Sequence, residues 1–195
     1  MKNLFKLSIV LLVMLISTNG YSVEDSILPT EGSKNVTNLT LENVSKGSLI
    51  QIKDSDNLIL YSEIVKKSGK YSKDFNLTNL PDAEYSIEID QQKNIKIIPF
   101  SVKSSIALIA KNDARTFSKP EVVVKGNYLY VSKKMHEKQT LEIDVYFEGY
   151  DLAYNKKYKN VDSVSKVFDF STSKKGRYVI VFKSEGKIFK NTISI

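Results

Sequence analysis

The sequence predicts an all-β chain of two antiparallel β-sandwiches in tandem, with residues 1–22 as a signal peptide, 23–103 as the first domain and 104–195 as the second. Three observations predict it. Apolar residues alternate with polar ones at period two through most of the chain, which puts them on one face of a strand, and helical spacing is largely absent. Turn-forming clusters separate these runs: KDSDN at 53–57, LPDA at 80–83, KKG at 174–176 and SEG at 184–186. Finally, sliding the chain on itself by 93 residues aligns 50–102 with 143–195 without a gap. Short strands at this spacing favour antiparallel sandwiches over parallel sheets with helical crossovers.

The first element is a delivery signal. Lys2 and Lys6 precede LSIVLLVMLI, an apolar core over 7–16. That core is shorter than the ~20 residues of a membrane span. Gly20 and Ser22 suit a cut before Val23, and Thr18 with Gly20 offers an alternative before Tyr21. No later run is long enough to cross a membrane as a helix. Removing residues 1–22 takes away two lysines and no acid, so the formal net charge falls from +7 to +5. The remaining lysines are scattered rather than clustered, which reads as a solvated surface with no nucleic-acid partner. With no cysteine in the chain, lipoprotein attachment, disulfides, zinc–thiolate sites and thiol nucleophiles are all excluded. Burial alone must hold the fold together.

The strands follow in order. VTNLTLENV at 36–44 serves the first domain, and the aligned block begins with Ile50 and Ile52, matched by Ile143 and Val145. Ile59 and Tyr61 match Leu152 and Tyr154, and Phe75 and Leu77 match Phe168 and Phe170. Tyr85, Ile87 and Ile89 match Tyr178, Ile180 and Phe182. Only ten of the 53 aligned positions are identical, so the pattern carries the alignment more than the identities do. In the last strand of each copy the facing changes, at 97–100 and at 190–193, which predicts a bulge or bend there, with Pro99 at an edge. Between the copies, SSIALIAKNDARTFSKP at 104–120 holds the boundary, and IALIA suits a strand of either domain. VVVKGNYLYV at 122–131 then reads as a hairpin turning at Gly126-Asn127.

FNLTNLPDAEYSIEI, from Phe75 to Ile89, resembles the "dLsnLpaGvYivri" motif of C-terminal sorting domains in type IX secretion substrates. It is also similar to related small sandwich domains in secreted proteins of Gram-negative bacteria. LIQIKD, SDN, LILYSE and NIKIIPFSV supply the flanking strands and turn in the family's order, from Leu49 to Val102. The second copy, STSKKGRYVIVF, keeps the Gly before the aromatic without the Leu-Pro, and FKNTISI lacks the basic finish of sorting domains. The resemblance implies immunoglobulin-like sandwiches and export to the periplasm, cell surface or medium, and it carries no catalytic residue.

Catalytic constellations are sparse. The single histidine, His136, has neither a second His nor a Cys for a metal cluster or triad, and reads as an exposed loop residue. Asp54, Asp56 and Asn57 could open a calcium loop, but Ile59 and Val65 occupy the positions that need Gly and Glu, so a hairpin turn is the better reading. Ser163–Lys166 and Ser171–Lys174 match a Ser-x-x-Lys string without its companion motifs. Glu84, Ser86, Glu88 and Asp90 share an outer strand face, whereas glycosidase carboxylates flank a cleft ~5–10 Å wide. At the matching face of the second copy stand Arg177, Val179, Val181 and Lys183. Tyr146, Tyr150, Lys156 and Lys157 crowd the same region, so these residues with Val179 and Val181 form a candidate binding face. Val179 and Val181 should be covered, by the first domain, by Ile106–Ala110 or by a partner.

The expectation is an exported, non-enzymatic binding or structural surface protein without a cofactor, whose partner is a cell-envelope protein or glycan. A type IX sorting or anchoring module and a carbohydrate-active enzyme are the alternatives.

Overall fold

The computed structural model describes residues 26–29 and 37–195, so the signal-peptide expectation for 1–22 lies outside the described residues. The described chain is all-β and antiparallel, as the period-two pattern predicts. Its first half contains β1 (Ser26–Pro29), β2 (Thr37–Val44), β3 (Leu49–Asp54), β4 (Ile59–Ile64), β5 (Gly69–Phe75), β6 (Ala83–Asp90), β7 (Asn94–Lys103), β8 (Ile106–Ile109) and β9 (Arg115–Ser118). One sheet runs β1-β2-β5 and the other β4-β3-β6-β7, with β8 and β9 both paired to the outer edge of β7. Leu39 and Leu41 from the first sheet meet Ile50, Ile52, Ile87, Ile89 and Phe100 from the second in one core.

The second half contains β10 (Glu121–Lys125), β11 (Tyr128–Phe147), β12 (Asp151–Asp169), β13 (Arg177–Ser184) and β14 (Lys187–Ser194). β11 pairs along one side with β12 and along the other with β10 and then β13, which pairs with β14. Leu129, Val131, Met135, Ile143, Val145, Ile180 and Phe182 form a second core. A fully buried side chain of this size contributes about 1.5–3 kcal/mol, the main stabilising term for a fold without disulfides.

The pairings of the first half recur 93 residues on. Ile52 lies between Tyr61 and Ile87, and Val145 lies between Tyr154 and Ile180. Tyr61 meets Phe75 edge-to-face at 5.1 Å between ring centroids, and Tyr154 meets Phe168 in the same way at 4.9 Å. The Tyr85 hydroxyl donates to the Pro81 carbonyl at 2.7 Å, and that of Tyr178 to the Lys174 carbonyl at 2.8 Å. The Phe and Tyr of FNLTNLPDAEY and FDFSTSKKGRY therefore do the same structural work. The Phe closes on a tyrosine fourteen residues earlier, on the preceding strand β4 in the first half and on β12 itself in the second, and the Tyr ties the incoming loop to its own strand.

The halves differ in continuity. Turns divide β2 from β3 and β4 from β5, whereas β11 and β12 each run through the corresponding stretch unbroken. Phe168 lies fourteen residues beyond Tyr154 on β12, ~45 Å along an extended strand, yet their rings are 4.9 Å apart. The β11–β12 ribbon therefore folds back on itself. Its pairing shifts register between Lys134 and Leu141, and Asn160 opposite takes a left-handed φ of 55°, which Asn tolerates better than most residues.

Three expectations are corrected. The last strands are not bulged, because β6–β7 and β13–β14 pair in unbroken register through both stretches. The facing changes because both faces of β7 are covered. Ile98, Phe100 and Val102 enter the core, while Ile95 is buried on the opposite face and lines a hollow with Lys187, Ile188 and Phe189 of the second half. Secondly, 106–118 joins the second sheet of the first half rather than opening the second half. Pro99 accepts a hydrogen bond from Ala110 on that outer side, so its missing N–H falls between the pairings of β8 and β9, where it is not needed. Thirdly, His136 stands on β11, where its backbone N–H donates to Glu185 at 2.9 Å. It is exposed, as expected, but it is not in a loop.

Candidate functional site

The six residues of the predicted face are divided by the structure. Val179 pairs with Tyr146 and Val181 with Asp144, while Lys157 pairs with Glu142, so these share the outer face of β12-β11-β13. Lys156 pairs with the core residue Ile143 and so belongs to the opposite face, exposed at the open edge of β12. Tyr150 stands in the turn after β11 and is 75% exposed. Val181 is covered, at 6% exposed, and Val179 is half-buried. The cover is not Ile106–Ala110, since β8 pairs with β7 in the second sheet of the first half. Cross-strand neighbours of the valines on their own face are Asp144, Tyr146, Lys190 and Thr192.

Beside these valines, Lys183, Lys157, Glu142 and Asp144 satisfy one another. Lys183 reaches Glu142 at 2.9 Å and Asp144 at 2.7 Å, Lys157 reaches Glu142 at 3.0 Å, and Asn155 donates to Asp144 at 2.5 Å. The two carboxylates, Asp144 first, hold the Lys183 ammonium well above its ordinary pKa, and Lys183 and then Lys157 draw Glu142 down. Groups this well paired spend their hydrogen bonds within the sheet.

The other half of the ribbon carries a different surface. Tyr130 pairs with Val123 on β10 and with Val167 on β12, giving one cross-strand row on the face away from the core. All three are open, at 47% for Val123, 42% for Tyr130 and 49% for Val167. Tyr128 is exposed on the same face, and Glu121, Lys125, Ser132, Ser165 and Asp169 surround the row. A shallow hollow of about 310 Å³ lies over it, and the Lys125 ammonium stands 5.7 Å from the Tyr130 ring centroid. The signal in the sequence was the loss of alternation in VVV and YLY, where inner and outer positions are both apolar.

At the junction of the halves, Lys133 is the central residue. Its side chain is 0% exposed and bonds to the Ser118 carbonyl at 2.6 Å, the Lys134 carbonyl at 2.9 Å and Glu185 at 2.9 Å. The Glu185 side chain is 2% exposed and also accepts the His136 N–H. Lys187 reaches across to Glu88 at 3.8 Å and lies 5.3 Å from the Phe117 ring, while Lys119 pairs with Asp90. Lys53 also bridges Glu88 at 3.1 Å. The outer carboxylates Glu88 and Asp90 therefore have lysine partners. In the first half, Lys73 donates to Glu63 at 2.7 Å and to the Tyr61 hydroxyl at 2.6 Å, and Tyr61 and Tyr71 also donate to Glu63. Lys73 first, then Tyr61, lowers the Glu63 pKa from 4.5 to about 2. Burial, then the Glu63 charge, raises that of Tyr71. Asp54, weighed as a calcium ligand, instead accepts the N–H groups of Asp56 and Leu58 at 2.9 Å and closes its turn.

No protein-family model and no curated protein matches the chain. Among solved structures it is similar to the BSP domain of a biofilm-associated protein, at 12% identity and a TM-score of 0.28. That alignment covers 88% of this chain and 29% of the other, so this chain spans less than a third of that structure's length. It is also similar to the human OSCAR ligand-binding domain, at 8% identity and a TM-score of 0.26, covering 83% of this chain and 90% of that one. Likenesses this weak carry no argument about function. Among the described residues no helix is long and apolar enough to cross a membrane.

Proposed function

We propose that the chain is an exported, non-catalytic binding or structural surface protein of two tandem sandwich units. The units divide at Lys119-Pro120, since β9 ends at Ser118 in the second sheet of the first half and β10 begins at Glu121 in the sheet of the second half. The observation that carries the binding role is the exposed row Val123–Tyr130–Val167. Single exposed apolar residues are ordinary, but a contiguous apolar patch with a polar rim is a mark of an interaction face. Its flat surface and tyrosine rings suit a cell-envelope protein or glycan, since such rings stack on sugars and bury area at little entropic cost. Tyr150 is a further contact point in this reading. The sorting-module alternative rests on the FNLTNLPDAEY motif, whose Phe and Tyr have the architectural role described above.

Retention of mature protein (residues 23–195) on immobilised cell envelope and on a glycan array tests the reading. Replacing Tyr130 and Val167 with Ser should abolish retention while leaving the unfolding midpoint nearly unchanged, because neither side chain is in the core. Retention equal to that of the parent would refute the assignment of this face.

A further inference from the structure

β4 has a neighbour on one side only. It ends the second sheet of the first half, pairing with β3, and among the described residues no strand pairs with its other edge. An open edge is a row of unpaired N–H and C=O groups, and proteins usually blunt it with lysine, proline or a covering segment. β4 reads ILYSEI, with neither lysine nor proline. The same positions 93 residues on, at the open edge of β12, read LAYNKK, so Lys156 and Lys157 stand where β4 has Glu63 and Ile64. One molecule thus carries the same edge twice, once blunted by charge and once apolar. Leu60, Ser62 and Ile64 are all exposed on the face turned away from the core.

The backbone fixes which groups are available. Val65 uses both its N–H, to Ser48, and its C=O, from Gly47, on the β3 side at 2.8 Å. Alternation then turns the N–H and C=O of Ile64 and Ser62 outward. We propose that β4 pairs antiparallel with β4 of a second copy of this chain, about a two-fold axis through Ser62. In that register Ser62 opposes Ser62, and Leu60 opposes Ile64 twice, gathering four apolar side chains on one face. On the other face Tyr61 opposes Glu63, a hydroxyl against a carboxylate. The neighbouring register, centred on Glu63, would instead set two carboxylates against each other and is disfavoured. A six-residue edge falls short of the ~1,000 Å² of a stable interface, so the dimer is a concentration-dependent one. Such pairing is isologous and leaves the Val123–Tyr130–Val167 face on another sheet.

Sedimentation of residues 23–195 should show a monomer–dimer equilibrium over about 10 µM to 1 mM. Ile64→Lys, which copies the residue at the matching place on β12, should weaken it about tenfold or more. Ser62→Pro removes only an outward N–H and should abolish it. The register has its own readout, because the chain contains no cysteine. Opposed Cα atoms in a hydrogen-bonded antiparallel pair lie ~5.5 Å apart, within disulfide reach. Ser62→Cys should therefore cross-link to itself on mild oxidation. Leu60→Cys should not cross-link to itself, but should cross-link to Ile64→Cys when the two are mixed. A monomer throughout the range, or absent Ser62→Cys cross-linking, overturns the proposal. Either result would leave the edge to a different strand or to solvent.

Discussion

Lys133→Met puts a neutral chain of similar length where the junction holds its ammonium. The substitution removes the donor to three acceptors, the Ser118 and Lys134 carbonyls and Glu185, all within 2.6–2.9 Å. The Glu185 carboxylate, 2% exposed, would keep only the His136 N–H. Breaking one side of a buried ion pair costs about 3–5 kcal/mol, against about 5–15 kcal/mol for a whole domain. Lys133→Met is therefore expected to lose about 3–5 kcal/mol in urea unfolding. Circular dichroism or tyrosine fluorescence can follow it, since the chain has eleven tyrosines and no tryptophan. Ser118 belongs to β9 of the first half and Glu185 to the β13–β14 turn, so the loss should also let the two halves melt separately. Lys133→Met with Glu185→Leu should recover most of the loss, because replacing both charges removes the stranded carboxylate. If Lys133→Met costs under about 1 kcal/mol, or if the two substitutions simply add, the junction does not depend on this pair.

Two further outcomes follow from side chains already placed. Glu63 has its folded pKa depressed from 4.5 to about 2, so its contribution to stability is complete above 4.5 and is lost as pH falls toward 2. The urea midpoint should drop across that window, and Glu63→Gln should flatten the drop; an unchanged acid profile would refute the role of Lys73 and Tyr61. Tyr85→Phe and Tyr178→Phe each remove a donor to a loop carbonyl, at 2.7 and 2.8 Å, and should each cost about 1 kcal/mol in the same unfolding assay. Strongly unequal losses would show that the two tyrosines do different work.

Much of the architecture was legible because strand alternation is a local property. Ile50 and Ile52, Tyr85 and Ile87, Tyr178 and Ile180 all enter cores as their spacing implied. The pairing that joins their strands follows the same 93-residue offset. What failed depended on distant neighbours. The break in facing at Ile95 looked like a bulge because nothing nearby in sequence shows that Lys187, Ile188 and Phe189 line a hollow beside that face. IALIA fits any edge, and only the free side of β7 determines where it pairs. Lys133 sits in phase with the core residues Leu129, Val131 and Met135, so its inward position was readable. The acid that would meet it, 52 residues later in a turn, was not. At the candidate face, strand parity separated Lys156 from Lys157, but Tyr150 fell in a turn, where parity has no meaning.

The unbroken ribbon of β11 and β12 also bears on how the molecule deforms under load. In the first half, the chain leaves one sheet and enters the other through turns at 45–48 and 65–68. Those layers can part by straining short turns and separating side chains. In the second half the same two strands run through both layers, so sliding one layer over the other must tear backbone pairs along the fold-back. A pull on this chain would therefore find its compliance in the N-terminal half, leaving the C-terminal half as the stiff element that transmits force.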